Sequence, residues 1–119
     1  MWKSLSLAAC VLFLTGCMTS IADGRSYSGP DSTYTSSHNA AETSQCIQKR
    51  WQQVFAANPS SVWLTDKDVE GRYTVYLRDF IYLADVNDEK VGSKVVYYHN
   101  GDHIWGTKER LVSAIKSCL

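Results

Sequence analysis

The sequence lacks an apolar run of membrane-spanning length at its N-terminus. The stretch from Leu5 to Leu14 is almost wholly apolar, but it has only about ten residues, and a transmembrane helix needs roughly 20. The stretch follows a single early basic residue, Lys3, and its length fits the apolar region of an export signal, roughly 7–15 residues. The N-terminus is therefore predicted to direct export of the chain.

The chain also lacks an excess of charge of either sign. It has 12 basic and 12 acidic residues, and one of the basic residues, Lys3, lies in the predicted export signal. Nucleic-acid-binding domains usually carry a basic patch, so we expect no nucleic-acid partner. The near-neutral balance likewise argues against electrostatic docking on a membrane.

Sequence motifs of the common enzyme classes are missing as well. No serine lies in a nucleophile-elbow pattern, and no Gly-rich phosphate loop is present. The acidic stretches TDKDVEG and DVNDEK, residues 65–71 and 85–90, do not have the spacing of a calcium-binding loop, and we interpret them as solvated turns. We expect a protein that is not an enzyme and needs no cofactor. A carboxylate pair formed only in three dimensions would be invisible in the sequence, so a small envelope hydrolase stays the least favoured alternative.

The stretch HNGDH, residues 99–103, brings three metal-ligating side chains together in sequence. An Asn-Gly pair between apolar runs signals a two-residue hairpin turn, which would place His99 opposite Asp102 and Tyr98 opposite His103. Neighbouring residues of a strand point to opposite faces. The two histidines then lie on opposite sides of the ribbon, and we expect no metal site.

The apolar stretch ends in the tetrapeptide LTGC, residues 14–17. This order of an aliphatic residue, two small residues and a cysteine resembles the lipobox of bacterial lipoprotein precursors. The resemblance implies that residues 1–16 are a signal peptide cut off just before Cys17. It also implies that Cys17 receives a diacylglyceryl group and an acyl chain on its new amino group. Two or more acyl chains make membrane attachment stable, so the implied partner is the membrane itself.

A second tetrapeptide, LAAC at residues 7–10, also fits the lipobox pattern. It would leave only about six apolar residues after Lys3, fewer than an export signal needs, and Cys17 is therefore favoured over Cys10. A short apolar helix with an incidental cysteine is the other alternative. In enteric bacteria an Asp after the acylated cysteine retains lipoproteins in the inner membrane. Met18 stands there, and the resemblance thus implies the outer membrane. We expect the domain to face the periplasm.

The segment after the lipobox is rich in Ser, Thr, Gly, Asn and Ala and has almost no aliphatic residues. Residues 17–45 are therefore predicted to be an acylated cysteine followed by a flexible tether. A coil of about 27 residues spans roughly 30 Å. Residues 46–119 are predicted to be the folded periplasmic domain.

The folded part begins and ends with a cysteine, Cys46 and Cys118. An exported domain of this size has a thin core and often needs a covalent link, and its compartment favours disulfides. We therefore predict a Cys46–Cys118 disulfide, which closes a loop of about 73 residues and contributes roughly 4 kcal/mol by the chain-entropy model. A metal site or a catalytic cysteine is the less favoured interpretation of the pair.

Hydrophobic periodicity predicts a small α+β domain. Residues 42–57 show a helical apolar face, with Thr43 or Ser44 as the cap, and residues 107–118 show another. Between them lie the β-rich stretches SVWLT, RYTVYLR and KVVYYHNGDHIW, together with FIYLADV, which fits a strand or part of a helix. We predict two layers, an antiparallel sheet of three to four strands with both helices on one face, held together by the disulfide.

Aromatic residues are numerous for a domain of this length. Adjacent strand residues point to opposite faces, so one ring of the pair Tyr97 and Tyr98 is expected outside, beside Tyr76. With His99, these residues form the predicted contact surface, because an exposed aromatic patch indicates a protein or glycan partner. An ordinary open sheet face rich in tyrosine is the alternative.

The combined prediction is an outer-membrane-anchored lipoprotein whose domain is a non-enzymatic protein-interaction module. The unidentified partner would be a component of an envelope complex, an incoming toxin or phage protein that the module excludes, or an enzyme that it inhibits. Binding of peptidoglycan or another glycan through exposed aromatic residues is the alternative function.

Overall fold

The structure is a computed structural model and describes residues 18–101 and 106–119. Three helices and five strands follow one another along the chain, with a short 3-10 turn at Pro59–Ser61 before the second strand. In chain order the elements are α1 (Ile21–Tyr27), β1 (Ser32–Ser36), α2 (Ala40–Val54), β2 (Val62–Leu64), β3 (Arg72–Leu77), β4 (Tyr82–Asp88), β5 (Ser93–His99) and α3 (Thr107–Lys116). The predicted α+β class is confirmed.

All five strands form one antiparallel sheet in the order β1-β5-β4-β3-β2. Its register aligns Val75 with Ala84 and Ala84 with Tyr97. These residues belong to the buried core beneath α2 and α3, and we call this side of the sheet the inner face. Side chains alternate along a strand, so the intervening residues, such as Thr74 and Asp85, lie on the outer face.

The two predicted helices pack on the inner face, and their apolar positions fill the core. Ile47 and Trp51 of α2 and Leu111 and Ile115 of α3 are fully buried. Burial of a large apolar side chain contributes about 1.5–3 kcal/mol to the free energy of folding. The indole N–H of Trp51 donates to the Leu111 carbonyl at 3.2 Å, so the two helices are joined by a buried hydrogen bond.

The predicted disulfide is present. Cys46 in α2 is bonded to Cys118, just beyond the end of α3, with the two Cα atoms 5.8 Å apart. The bond therefore links the two helices of the inner face.

Helix α2 begins earlier than predicted. Its cap is Asn39, whose side-chain oxygen accepts from the backbone N–H of Glu42 at 2.8 Å. Thr43 is instead buried inside the helix, where its hydroxyl bonds to those of Ser36 and Ser93. These three hydroxyl groups therefore join β1, α2 and β5.

The predicted tether is wrong for most of its length, because residues 21–45 contain α1, β1 and the first part of α2. Strand β1 pairs with β5 from Ser32 opposite Tyr97 to Ser36 opposite Ser93. Tyr34 packs against the core, and the other side chains of β1 are short and polar. The strand shows little hydrophobic signal, because it is held mainly by backbone hydrogen bonds to a distant partner. The sheet accordingly has five strands instead of three or four.

The predicted Asn-Gly hairpin reaches residues that the structure does not describe. Asn100 is buried, and its amide donates to the backbone oxygens of Gly24 and Phe80. Asp102 and His103 lie outside the described residues.

The stretch FIYLADV runs into the central strand β4, and residues 82–86, the part of the strand within this stretch, are all buried. Helices α2 and α3 cover the inner face of the sheet, while α1 contacts β4 from the outer face. Burial on both faces explains why this stretch shows a continuous apolar run without alternation. It also places Asp85 in a buried strand, where the sequence suggested a solvated turn.

Candidate functional site

Helix α1 is fastened to the outer face by a buried ion pair. The guanidinium of Arg25 donates through Nε to one carboxylate oxygen of Asp85 at 2.7 Å and through Nη2 to the other at 2.9 Å. Thr74 on the neighbouring strand accepts from Arg25 at 2.9 Å and donates to Asp85 at 2.6 Å. The Asp85 side chain is only 3% exposed, so water contributes little to its stabilisation and Arg25 supplies the compensating charge.

Close backbone packing makes the second half of this attachment. A Cβ atom on Gly24 would lie 2.7 Å from Leu83 Cδ1 and 3.0 Å from the Phe80 carbonyl oxygen. Only glycine therefore lets α1 approach the sheet this closely. The side-chain amide of Asn100 donates to the Gly24 carbonyl at 2.6 Å, and this hydrogen bond also holds α1 on the sheet. We call these contacts of Arg25 and Gly24 with the outer face the α1 clasp.

The α1 clasp also perturbs a neighbouring tyrosine. Burial is the main cause that raises the pKa of Tyr98 above its usual value, and the negative charge and hydrogen bond of Asp85 act in the same direction. Burial, the charge of Asp85 and its hydrogen bond all disfavour the phenolate form of Tyr98. Tyr98 therefore stays neutral and belongs to the packing under α1.

Beside the α1 clasp, three aromatic rings continue across the outer face. Tyr76 and Phe80 stack with ring centroids 5.7 Å apart and planes 9° apart, and Trp63 lies 6.3 Å from Tyr76. Trp63 is 47% exposed, and Tyr76 and Phe80 are half-buried. We call Trp63, Tyr76 and Phe80 the outer aromatic surface.

The conformation of Phe80 shows how this row is built. Phe80 has φ of 62°, a left-handed conformation that costs a non-glycine residue roughly 1–2 kcal/mol. The backbone N–H of Phe80 donates to the Leu77 carbonyl at 2.9 Å and closes the β3–β4 turn. The turn folds the ring back over Tyr76, and the stacking offsets part of the cost.

The four residues of the predicted contact surface do not form one patch. As expected from alternation, Tyr97 and Tyr98 lie on opposite faces, but Tyr97 is 0% exposed and Tyr98 only 8%. Half-buried His99 lies on the inner side, where its Nδ1 is 3.2 Å from the Tyr97 hydroxyl. Of the four, Tyr76 alone belongs to the outer aromatic surface. Tyr97 and His99 lie on the inner face with the core, and Tyr98 lies on the outer face that α1 covers, a helix that the composition of its segment did not suggest.

A second surface feature lies on the opposite side of the molecule. An open groove of about 430 Å³ runs between α2 and α3, with Arg50 and Arg110 among its lining residues. Among the residues the structure describes, neither arginine makes an ion pair. The sequences of α2 and α3 contain five basic and two acidic residues, so this helix layer presents positive charge. We call the feature the basic groove.

Other predictions from the sequence concern ligands and the anchor. Within residues 18–101 and 106–119, no three His, Cys, Asp or Glu side chains come together in a group that could hold a metal ion. In the same part of the chain no helix is long and apolar enough to span a membrane. Cys17 and its lipobox lie outside the described residues.

Comparison with known proteins gives no relative, since neither a protein-family model nor a curated protein nor a solved structure matches the chain.

Proposed function

We propose that the chain is an outer-membrane lipoprotein whose domain is a non-enzymatic interaction module facing the periplasm. Lipid attachment at Cys17 rests on the lipobox, and the Cys46–Cys118 disulfide supports an oxidising compartment. The α1 clasp supports an orientation of the domain relative to the anchor. It binds the chain to the outer face of the sheet a few residues after Cys17, so the anchor side of the domain is the outer face.

The surface then presented away from the membrane is the helix layer with the basic groove. Arg50 and Arg110 line this groove without a carboxylate partner among the described residues. Arginine is favoured at protein interfaces because its planar guanidinium binds carboxylates through two hydrogen bonds. An envelope protein with an exposed acidic segment is the partner that fits this charge.

Photo-crosslinking in intact envelopes tests the proposal. A photoreactive residue at Gln53 or Ser113, on the two walls of the basic groove, should form a discrete protein adduct. The same residue at Lys90, in the exposed β4–β5 turn, is the matched control. The adduct should disappear in Arg50→Glu combined with Arg110→Glu, because the binding depends on charge. An adduct that persists with reversed charges contradicts the role of the groove.

Labelling with a palmitate analogue tests the anchor separately. Wild type should take up the label, fractionate with the outer membrane and lose the label in Cys17→Ser. Loss of label in Cys10→Ser but not in Cys17→Ser would assign the lipobox to LAAC. Recovery of labelled wild type with the inner membrane would contradict the sorting inference from Met18.

Glycan binding through the outer aromatic surface is the second candidate function. Its specific support is the exposed ring of Trp63 next to the stacked pair Tyr76 and Phe80, since sugar rings pack against such aromatic platforms. This function requires wild type to cosediment with purified cell wall and Trp63→Ala to lose cosedimentation. Equal cosedimentation of the two proteins, or none by wild type, counts against it.

A further inference from the structure

We infer that the outer aromatic surface lies in the headgroup region of the membrane that carries the lipid anchor. The inference rests on the proposed acylation of Cys17 and assigns a bilayer interface as the occupant of this surface. Its evidence is the short length of chain between Cys17 and the folded domain, together with the position of Trp63, Tyr76 and Phe80 relative to α1.

The first step concerns the length of the connection. Thr19 is already bonded to α1, since both its backbone N–H and its hydroxyl donate to the Asp23 carboxylate at 2.9 Å. These bonds help to hold the pKa of Asp23 below its usual value, with the backbone N–H of Thr19 as the main cause. Two chain steps separate Cys17 from Thr19, and they span at most about 7 Å. An acylated Cys17 therefore keeps the start of α1 at the membrane surface.

The second step concerns the rigidity of α1. The α1 clasp has a buried ion pair, with Asp85 only 3% exposed, and a backbone approach that a Cβ on Gly24 would block. Removal of one partner from such a pair is strongly destabilising, so the helix stays on the sheet. The whole domain is consequently held at the bilayer with the outer face on the anchor side, and not at the end of a 30 Å coil.

The third step connects α1 to the aromatic rings. Phe80 packs directly against Gly24, because a Cβ built there would lie 3.3 Å from Phe80 Cβ. Tyr76 follows Phe80 at 5.7 Å between ring centroids, and Trp63 follows Tyr76 at 6.3 Å. The row therefore begins at the anchored helix and ends in the exposed Trp63. Trp and Tyr prefer the interface between headgroups and acyl chains, where an amphipathic ring is partly desolvated.

Fluorescence quenching in proteoliposomes tests this inference on the acylated protein. The protein is reconstituted in vesicles of phosphatidylethanolamine and phosphatidylglycerol, with or without phospholipids brominated near the carbonyl end of the acyl chains. Wild type should be quenched by the brominated lipid, and Trp63→Phe should lose the lipid-dependent part of the quenching. All proteins in this experiment carry Trp105→Phe, so that Trp51 and Trp63 are the two tryptophans of the processed wild-type chain. Trp51 is fully buried in the core, so its emission remains in both proteins as an internal reference.

A second variant separates the position of the domain from the chemistry of Trp63. Arg25→Ala removes one partner of the α1 clasp and keeps Trp63. In samples whose circular dichroism shows that the sheet is still folded, it should lower the lipid-dependent quenching because the domain is released from the surface. Lys90→Ala removes an exposed basic residue of the β4–β5 turn, at the other end of β4, and should leave the quenching unchanged. Equal quenching of Arg25→Ala and wild type would show that the α1 clasp does not hold the surface at the bilayer, and would overturn the inference.

The outcomes distinguish failure of the inference from failure of the proposed function. A chain without lipid label that does not float with vesicles overturns both. A labelled, floating wild type with no lipid-dependent quenching of Trp63 overturns the orientation and leaves the lipoprotein proposal intact. A third outcome is that cell-wall fragments shield Trp63 from a water-soluble quencher while brominated lipid has no effect. This result would assign the outer aromatic surface to glycan binding and would also overturn the inference.

Discussion

Arg25 and Asp85 are 60 positions apart in the sequence, and the Arg25 guanidinium donates to both oxygens of the Asp85 carboxylate. The pair joins a seven-residue helix to the central strand of the sheet. An isolated helix of this length is unstable in water, so α1 depends on its contacts with the sheet. Its position in turn decides where the N-terminal segment leaves the domain.

Removal of the cation from this pair should destabilise the whole domain. Arg25→Ala leaves the Asp85 carboxylate buried without its counter-charge, and we expect the free energy of unfolding to fall by about 3 kcal/mol, the lower end for a broken buried pair. Denaturant unfolding of a chain that begins at Met18 measures this. Arg78→Ala is the matched control and should change the free energy by less than about 0.5 kcal/mol. A similar small change in both variants would contradict the burial of the pair.

The packing of Gly24 predicts an inverted response to a helix-stabilising substitution. Gly→Ala inside a helix normally stabilises a protein by up to about 1 kcal/mol, but at Gly24 the added methyl group meets Leu83 and the Phe80 carbonyl. We expect Gly24→Ala to lower stability by about 1–3 kcal/mol, as overpacking does. Thermal unfolding followed by circular dichroism is the measurement. Ser26→Ala, on the exposed side of α1, should be near neutral, and a stabilised Gly24→Ala would place α1 away from the sheet.

Loss of the disulfide should be costly for the same small domain. Cys46→Ser combined with Cys118→Ser should reduce the free energy of unfolding by about 2–5 kcal/mol, which shortens survival in a protease assay. Reductant should destabilise wild type and leave the double variant unaffected. A wild-type chain that begins at Met18, denatured without reductant, should show no free thiol in a thiol-reagent assay. Two free thiols per chain would refute the disulfide.

Acid should weaken the β2–β3 turn through Asp68. The backbone N–H of Arg72 is the main cause that lowers the pKa of Asp68 to about 2 from 3.8, and the Arg72 guanidinium contributes to the same shift. A folded-state pKa below the unfolded one means that the stabilisation is complete above 3.8 and is lost as the pH falls from 3.8 towards 2.

The matching measurement compares melting temperatures across pH. Asp68→Asn should melt at a lower temperature than wild type near neutral pH, and the two temperatures should converge at about pH 2, since wild type then loses the same charge. Asp66→Asn, in an exposed position of the same turn, should follow wild type throughout. A melting difference for Asp68→Asn that is independent of pH would exclude the carboxylate charge as its cause.

The sequence by itself determined the inner half of this domain. Ile47 and Trp51 on one helix and Leu111 and Ile115 on the other repeat at helical spacing, and their burial follows from the hydrophobic effect alone. The Cys46–Cys118 disulfide was predictable for a related reason, because a small domain that follows a predicted export signal and has a cysteine at each end has few other ways to use them.

The outer half was decided by tertiary structure. Strand β1 consists of Ser, Thr and Tyr, and it exists because β5 offers unpaired backbone groups. Helix α1 exists because Asp85, Leu83 and Asn100 provide a charge, a surface and an amide more than 55 positions further along the chain. Contacts of this kind leave no periodic signal, since each depends on a single side chain meeting a distant partner. Alternation along β5 assigned Tyr98 to the outer face, and α1 decided that this face does not expose it, because the helix lies over that part of the sheet.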